Sequence, residues 1–266
     1  MCNLCGCNTP SEPHPHDHMH DDHAHPHDHA YPHDAHTHAE RSRVRIEQAI
    51  IAAGDEQAAK NRALFDAARV LVVNLMSSPG SGKTTLLEET VTHCGLKIGV
   101  IEGDLATEND ANRLRACGVQ AEQITTGIAC HLDAHMIADV LPRFDLSALD
   151  VLFIENVGNL ICPACFDLGQ HQNVTLLSVP EGDDKPEKYP IMFRDTDLTL
   201  VTKTDYLPVA PTFAVSRAVD SLRKVGSDAS VIALCATLGD GLEDWLGWLA
   251  RRRDRVRNGS STSDAA

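Results

Sequence analysis

The sequence predicts an α/β fold with a mostly parallel, doubly wound sheet, because short apolar runs alternate along the chain with segments of helical periodicity. Six runs predict strands, at Val70–Met76, Lys97–Glu102, Val151–Ile154, Val174–Val179, Leu198–Thr202 and Val231–Leu234. Five segments predict helices, at Lys83–Cys94, Asn109–Ala116, His135–Leu141, Val215–Val225 and Gly241–Arg252. Buried parallel strands need cover on both faces, and ligands then collect at their carboxyl ends. Motifs that directly follow a strand are therefore the first candidates for function.

The segment before the first strand predicts one or two amphipathic helices between Arg41 and Ala68, with a break near Gly54. The 266 residues allow one domain with extensions at both ends. We place this domain at residues 41–256, after a Cys- and His-rich tail at 1–40 and before a Ser-rich tail at 257–266. Both tails are expected to be disordered, the first one when no metal is bound.

The charge of the chain limits its partners. A formal net charge of −15 without a basic stripe argues against nucleic-acid binding and favours metal cations. No apolar stretch is long enough to span a membrane, and the first residues lack the pattern of a signal peptide. We therefore expect a cytoplasmic protein whose nine cysteines serve as metal ligands or redox groups before disulfides.

Three thiols stand close together at the start of the chain, at Cys2, Cys5 and Cys7. One metal ion can bind all of them without a folded scaffold, and removal of Met1 would add the α-amino nitrogen as a fourth ligand. This donor set suits square-planar Ni(II), although tetrahedral Zn(II) accepts the same thiolates.

A histidine-rich segment follows, in which eleven histidines alternate with Asp, Pro and Ala and form no hydrophobic face. They are His14, His16, His18, His20, His23, His25, His27, His29, His33, His36 and His38. Neutral imidazole binds Ni, Cu and Zn, and many interchangeable sites favour metal storage. Protonated imidazole cannot bind metal, so the capacity should fall as the pH drops through roughly 6.5.

A phosphate-binding P-loop is predicted at Ser77–Thr85, between a strand and a helix. The candidate nucleotide ligands are Gly80, Ser81, Gly82, Lys83, Thr84 and Thr85. Glycines let backbone N–H groups turn toward the phosphates, Lys83 reaches the β and γ oxygens, and the Thr84 hydroxyl binds Mg²⁺. Ser77 replaces the first glycine of the common motif. The pattern indicates a P-loop NTPase.

Two carboxylates are expected beside the γ-phosphate, because each follows a predicted strand. Asp104 is the candidate Mg²⁺ ligand with Thr84, directly or through water, and capping of the next helix is its alternative role. Glu155 and the amide of Gly158 are placed to respond when the γ-phosphate leaves. Lys83, Asp104 and Glu155 are our candidate catalytic residues.

The run Thr202-Lys203-Thr204-Asp205 follows a strand and resembles the guanine-binding Asn-Lys-x-Asp of GTPases. Asp205 can accept hydrogen bonds from guanine N1–H and N2–H, whereas adenine presents an acceptor at N1. GTP is therefore predicted over ATP, with the Lys203 stem along the base. Thr202 lacks the amide that would tie neighbouring loops together, which predicts weaker nucleotide binding.

A second metal site is predicted at Cys130, His131 and Cys162, within one chain or across a subunit boundary. Zn(II) or Ni(II) would suit this set, with His135 and Cys165 as alternative ligands. The site adjoins the segment that follows Glu155, so nucleotide hydrolysis could change the metal affinity. Buried cysteines without metal are the competing interpretation. Cys94, Cys117 and Cys235 are expected to serve packing alone.

These residues together resemble the HypB family, the GTPases that deliver nickel during maturation of [NiFe] hydrogenase. The resemblance covers about residues 43–248 and the N-terminal cysteines. Its signatures are Ser77–Thr85, Ile101–Asp104, Cys130–Asp133, Glu155–Ala164 and Glu181–Pro190. It implies a SIMIBI-like P-loop NTPase fold and slow hydrolysis of GTP to GDP. It also implies a homodimer promoted by GTP and metal, a partner nickel metallochaperone, and the hydrogenase large-subunit precursor as recipient.

The resemblance also implies roles for individual residues. It places metal at Cys130, His131 and Cys162, and nickel at Cys2, Cys5 and Cys7 in some members. Ala236 would contact the base, in a Leu-Cys-Ala-Thr run that replaces the usual Ser-Ala loop.

Two alternative functions differ in their sequence signatures. One is a urease-type nickel GTPase, whose metal motif is Cys-Pro-His, whereas Ala164 follows Cys162-Pro163 here. The other is a nickel-storage protein with a vestigial GTPase, which the intact Lys83, Thr84 and Asp205 oppose.

Overall fold

The computed structural model describes residues 52–104, 108–127 and 129–259. The predicted cysteine cluster at residues 2–7, the histidine segment at 14–38 and most of the C-terminal tail lie outside the described residues.

One sheet of seven strands, all paired in parallel, forms the centre of the described domain, in the order β3-β2-β4-β1-β5-β6-β7. The strands are β1 (Leu71–Ser77), β2 (Ile98–Asp104), β3 (Gln120–Thr125), β4 (Val151–Glu155), β5 (Gln172–Ser178), β6 (Leu198–Thr202) and β7 (Ser230–Ala233). The predicted α/β class and doubly wound parallel sheet are confirmed.

Helices precede, connect and follow the strands along the chain. They are α1 (52–68), α2 (Lys83–Cys94), α3 (Asn109–Ala116), α4 (Ala134–Val140), α5 (Lys185–Lys188), α6 (Pro190–Arg194), α7 (Val215–Lys224) and α8 (Leu242–Arg257). Short 3-10 helices lie at Leu141–Arg143, Leu146–Ala148, Cys162–Cys165, Val179–Glu181 and Thr204–Val209. No helix in the described ranges combines the length and apolar character needed to cross a membrane.

Alternate side chains of the central strand β1 enter different hydrophobic clusters. Leu71, Val73 and Leu75 belong to a cluster with residues of α2, α3 and α8. Val72 belongs to a second cluster with residues of α1 and α4. Every residue of β1 is buried, as the apolar run predicted for a strand covered on both faces.

Three of the differences from the sequence predictions have a clear structural basis. Strand β3 was missed because only Ala121 of its six residues is buried, so an edge strand rich in Gln, Glu and Thr shows no apolar run. Gly54 has helical backbone, so the expected break near it is not present in the described residues. Helix α8 continues past Arg252 to Arg257, because Val256 on its last turn is buried against the core.

The indole of Trp245 joins α8 to α2. Its side chain is fully buried, and Nε1–H donates a 2.8 Å hydrogen bond to the Thr90 hydroxyl. Its ring also stacks on Trp248, with 5.5 Å between the ring centroids. If a buried indole N–H loses its acceptor, the folded state is destabilised by the full desolvation energy of that group.

We predict that Thr90→Val lowers the free energy of unfolding by about 1–2 kcal/mol, because the Trp245 N–H is left buried without a partner. Urea unfolding followed by tryptophan fluorescence measures this change. Thr92→Val is the matched control, since Thr92 is exposed on the same helix and its hydroxyl donates a 2.8 Å hydrogen bond to the Glu88 carbonyl of its own helix. Equal losses in the two variants would contradict the role given to the indole bond.

Candidate nucleotide and metal site

A cavity of about 420 Å³ opens at the carboxyl ends of β1, β2 and β4. Its lining residues are Pro79, Gly80, Gly82, Lys83, Thr84, Thr85, Glu102, Gly103, Asp104, Asp110, Arg113, Glu155, Asn156, Val157, Gly158 and Lys203. The fold thus brings the predicted P-loop residues to the same cavity as Asp104 and Glu155. The contributions of Glu102, Asp110 and Arg113 were not foreseen.

The P-loop turns through two glycines in left-handed conformation, Gly80 with φ 75° and Gly82 with φ 96°. Other residues rarely adopt such angles. The Lys83 ammonium donates a 3.0 Å hydrogen bond to the hydroxyl of Ser77. The serine that replaces the first motif glycine therefore contacts the lysine expected to bind phosphate.

Two buried carboxylates lie side by side on neighbouring strands, because Glu102 of β2 and Glu155 of β4 are register partners. The Thr84 hydroxyl donates a 2.8 Å hydrogen bond to Glu155 Oε1. Within the described ranges, Oε2 of both glutamates is buried without a hydrogen-bond partner. Burial raises the pKa of Glu102 to about 8, helped by the charge of Glu155. Burial raises the pKa of Glu155 to about 7, against the attraction of Lys83.

These orphaned oxygens fit a divalent cation, which prefers carboxylate and hydroxyl ligands. Glu155 already contacts the predicted cation ligand Thr84, and half-buried Asp104 lines the same cavity. The sequence analysis named Glu155 and Asp104 but not Glu102. The available signal was a carboxylate at the end of an otherwise apolar strand.

A second cavity of about 240 Å³ shares Gly82, Thr85 and Lys203 with the first one. It is lined by Ser81, Gly82, Thr85, Leu86, Thr202, Lys203, Asp205, Tyr206, Leu234, Cys235, Ala236 and Thr237. The predicted base-binding residues Lys203, Asp205 and Ala236 therefore lie together. Because the two cavities share residues, one ligand with a phosphate end and a planar end can occupy both.

Two expectations about this second cavity need correction. Thr202 was expected to lose the tie between loops, but its hydroxyl donates a 2.8 Å hydrogen bond to the carbonyl of Ser81 in the P-loop. Cys235 was expected to serve packing alone, but its buried thiol lies 3.2 Å from Asp205 Oδ1 and donates to it. Both side chains hold groups of the candidate nucleotide site in place.

The predicted metal ligands Cys130, His131 and Cys162 come together within a single chain, with one ligand atom from each inside 4.8 Å of the others. The two sulfur atoms are 2.9 Å apart, and His131 Nδ1 is 3.8 Å from Cys130 Sγ. The His131 ring stacks on Phe166 at a centroid distance of 3.9 Å. Burial lowers the pKa of His131, which favours the neutral form that binds metal. His135 and Cys165 lie outside this group.

Several contacts connect the candidate metal ligands with the candidate phosphate cavity. Asn156 lines the cavity, and its Oδ1 accepts a 3.2 Å hydrogen bond from the backbone N–H of Leu132. Asn159 Nδ2 lies 3.4 Å from the carbonyl of Cys130 and donates to it. A Cβ at Gly103 would lie 2.8 Å from Leu132, so the end of β2 packs directly on the residue after His131.

Comparisons with known proteins agree with this geometry. The family described as CobW/HypB/UreG, nucleotide-binding domain, matches residues 71–233. A hydrogenase maturation factor HypB from Azotobacter vinelandii is 51% identical over 212 residues, which cover 79% of this chain and 70% of that protein. The chain belongs to the HypB family.

Other HypB proteins extend this relation. A hydrogenase/urease maturation factor HypB from Helicobacter pylori is 43% identical over 214 residues, covering 79% of this chain and 88% of that protein. The crystal structure of HypB from Helicobacter pylori in complex with nickel matches with a TM-score of 0.73 and 40% identity. The match covers 80% of this chain and 99% of that one. The HypB fold of this chain thus extends beyond the family's nucleotide-binding segment.

We predict that the metal-free and nucleotide-free protein becomes less stable as the pH rises from 6 to 8. The pKa of Glu102 in the folded chain lies above its ordinary value of 4.5, so the folded state holds the proton more tightly. This stabilisation is complete below pH 4.5 and is lost as the pH approaches about 8.

Urea unfolding at the two pH values measures this effect, and Glu102→Gln should reduce the loss by about 1–2 kcal/mol. Glu243→Gln is the control, because Glu243 is exposed at the start of α8. If Glu102→Gln and wild type lose the same stability, Glu102 is not protonated in the folded protein.

Proposed function

We propose that this protein is a GTP-hydrolysing nickel chaperone that helps to insert nickel into the [NiFe] hydrogenase precursor and stores nickel in its His-rich tail. The observation that carries the proposal is the direct contact between the metal-ligand loop and the phosphate cavity through Asn156 and Gly103. A delivery protein needs such contacts, since nucleotide hydrolysis must alter metal affinity. The names of the relatives and the nickel-bound structure from Helicobacter pylori support the same conclusion.

The nucleotide part of the proposal depends on the two joined cavities. Asp205 would accept hydrogen bonds from guanine N1–H and N2–H, with Cys235 holding its carboxylate and Ala236 beside the base. Lys83 would neutralise charge on the β- and γ-phosphates, and the glycines of the P-loop would turn backbone N–H groups toward them.

Thr84 and Asp104 would hold Mg²⁺. The Thr84 hydroxyl donates a hydrogen bond to Glu155, and Glu102 is the register partner of Glu155 on the neighbouring strand. When bound, the cation supplies positive charge where negative charge develops during phosphoryl transfer. The two buried glutamates would then lose their protons, because an adjacent cation lowers the pKa of a carboxyl group.

The transported ion, Ni(II), would bind Cys130, His131 and Cys162, and Zn(II) would compete for the same S₂N set. The lowered pKa of His131 favours the neutral imidazole that binds metal, and stacking on Phe166 restrains the plane of the ring. We further propose that Cys2, Cys5, Cys7 and the histidine segment load this site. The homodimer, the partner metallochaperone and the cytoplasmic location are proposed on the family resemblance.

We predict that a variant lacking residues 2–38 binds one Ni(II) per chain at Cys130, His131 and Cys162, and that its affinity differs at least fivefold between GDP and a non-hydrolysable GTP analogue. A coupling of this size amounts to about 1 kcal/mol, within the range usual for linked sites. Calorimetric titration with Ni(II), and then with Zn(II), measures both affinities.

Cys165→Ser is the control, because Cys165 lies outside the ligand group. Asn156→Ala should preserve metal binding but reduce the difference between the two nucleotides. Equal affinities in the two nucleotide states would remove the metal site from the GTPase cycle. Two further experiments test the nucleotide site itself. Lys83→Ala should abolish nucleotide binding, and in wild type GDP but not ADP should compete with GTP.

The role of residues 2–40 can be tested in cells. We predict that their deletion reduces hydrogenase activity in nickel-poor medium and leaves it unchanged when nickel is abundant, because many weak imidazole sites buffer the metal. Loss of activity at every nickel concentration would instead indicate obligatory transfer through Cys2, Cys5 and Cys7.

Urease maturation is the second candidate function, because the relative from Helicobacter pylori is named a hydrogenase/urease maturation factor. Deleting the gene and assaying both enzymes would separate these functions.

A further inference from the structure

The carboxylate of Glu181 lies against the P-loop, although it follows β5 and lines neither of the two cavities in the described structure. Its Oε1 accepts a hydrogen bond from the Ser78 hydroxyl, and its Oε2 accepts one of 2.8 Å from the Ser81 hydroxyl. The backbone N–H of Ser178 also donates to Oε2 at 2.8 Å, and the Ser178 hydroxyl donates at 2.6 Å.

The two serines of the P-loop lie on opposite sides of Pro79 and Gly80. Gly80 takes a left-handed conformation, although a glycine can adopt many other backbone conformations. A carboxylate that binds both flanking hydroxyls removes these alternatives, because its two oxygens are held at a fixed separation. The contact to Ser178 fixes the carboxylate itself on the end of β5.

The Glu181 carboxylate is ionised, as suits an acceptor of several hydrogen bonds. Burial by itself would raise the pKa of Glu181, but the hydrogen bonds from Ser178, Ser78 and Ser81 outweigh it and hold the pKa below its usual value. The group is therefore an ionised acceptor at neutral pH, and hydrogen bonds to an ionised acceptor are stronger than those between neutral groups.

We propose that Glu181 is a positioning residue that holds the P-loop in its phosphate-binding conformation before the nucleotide arrives. This inference rests on the proposed nucleotide binding and assigns a task to the first residue of the Glu181–Pro190 signature. Glu181 acts through Ser78 and Ser81, and it supplies no group to the phosphates. A loop that is already ordered loses less conformational entropy when its ligand binds.

The sign of the mutational effect separates this role from simple electrostatics. A negative charge behind the P-loop repels a nucleoside diphosphate, so its removal would tighten binding if only Coulomb interactions mattered. If the carboxylate orders the loop, its removal weakens binding instead.

The test compares full-length wild type with Glu181→Ala, Glu181→Gln and the double variant Ser78→Ala/Ser81→Ala. The dissociation constant for GDP and the kcat and KM for GTP are measured in the presence of Mg²⁺. We expect Glu181→Ala to weaken GDP binding about tenfold and raise KM similarly, with kcat within about threefold. Glu181→Gln keeps one carbonyl acceptor and should lose about threefold.

A double-mutant cycle tests whether the serines carry the effect. Adding Glu181→Ala to Ser78→Ala/Ser81→Ala should weaken GDP binding by less than about twofold further, because the contacts are already absent. Glu187→Ala is the matched control, since this exposed carboxylate of the same signature contacts Ser221 and Lys224, at 3.0 and 2.9 Å. It should bind GDP within about twofold of wild type.

The possible results lead to different conclusions. If wild type binds GDP and Glu181→Ala binds it equally well or more tightly, the positioning role is wrong and the proposed function stands. Fully additive losses in the cycle also overturn the role. If wild type binds no nucleotide, both the proposed function and this inference are wrong. Should Glu181→Ala not fold, as judged by circular dichroism, Glu181→Gln and the serine variants decide the question.

Discussion

The position of β1 between β4 and β5 is the constraint on which the rest of the site depends. Parallel pairing on both sides brings the carboxyl ends of these strands to one edge, where the P-loop begins after Ser77. Pairing of β4 with β2 then sets Glu102 opposite Glu155, and pairing of β5 with β6 sets Ser178 opposite Thr202. The functional groups are close because the pairing and register of these buried strands place their carboxyl ends side by side.

Buried polar groups at this edge of the sheet reduce the stability of the fold. Two buried glutamates with orphaned oxygens and raised pKa values are unfavourable in an isolated domain. A divalent cation bound nearby would reduce this cost, because its positive charge lowers the pKa of a carboxyl group. The P-loop is tied from two sides, by Glu181 after β5 and by Thr202 at the end of β6. Rigid support beneath the P-loop would favour the binding of phosphate, and the unsatisfied carboxylate oxygens in the cavity would favour the binding of a cation.

The connection between the candidate nucleotide and metal sites is short. From Asn156 to Cys162 the chain passes directly from the candidate phosphate cavity to a candidate metal ligand. Asn156 and Asn159 hydrogen-bond the loop that carries Cys130 and His131. A small displacement of this segment must therefore alter the distances among the three ligand atoms. Since metal affinity depends steeply on ligand geometry, this connection would be the route for the proposed coupling in both directions.

The sequence by itself determined the fold class, the P-loop, the Lys-x-Asp pair and the Cys and His residues that could bind metal. These features depend on interactions between near neighbours, so spacing and periodicity reveal them. Tertiary structure alone decided that Glu102 faces Glu155, that Cys235 holds Asp205, and that Thr202 and Glu181 support the P-loop. The partners in the last two contacts are 121 and 100 residues apart. The order and register of the strands set such contacts, and no local pattern in the sequence encodes them.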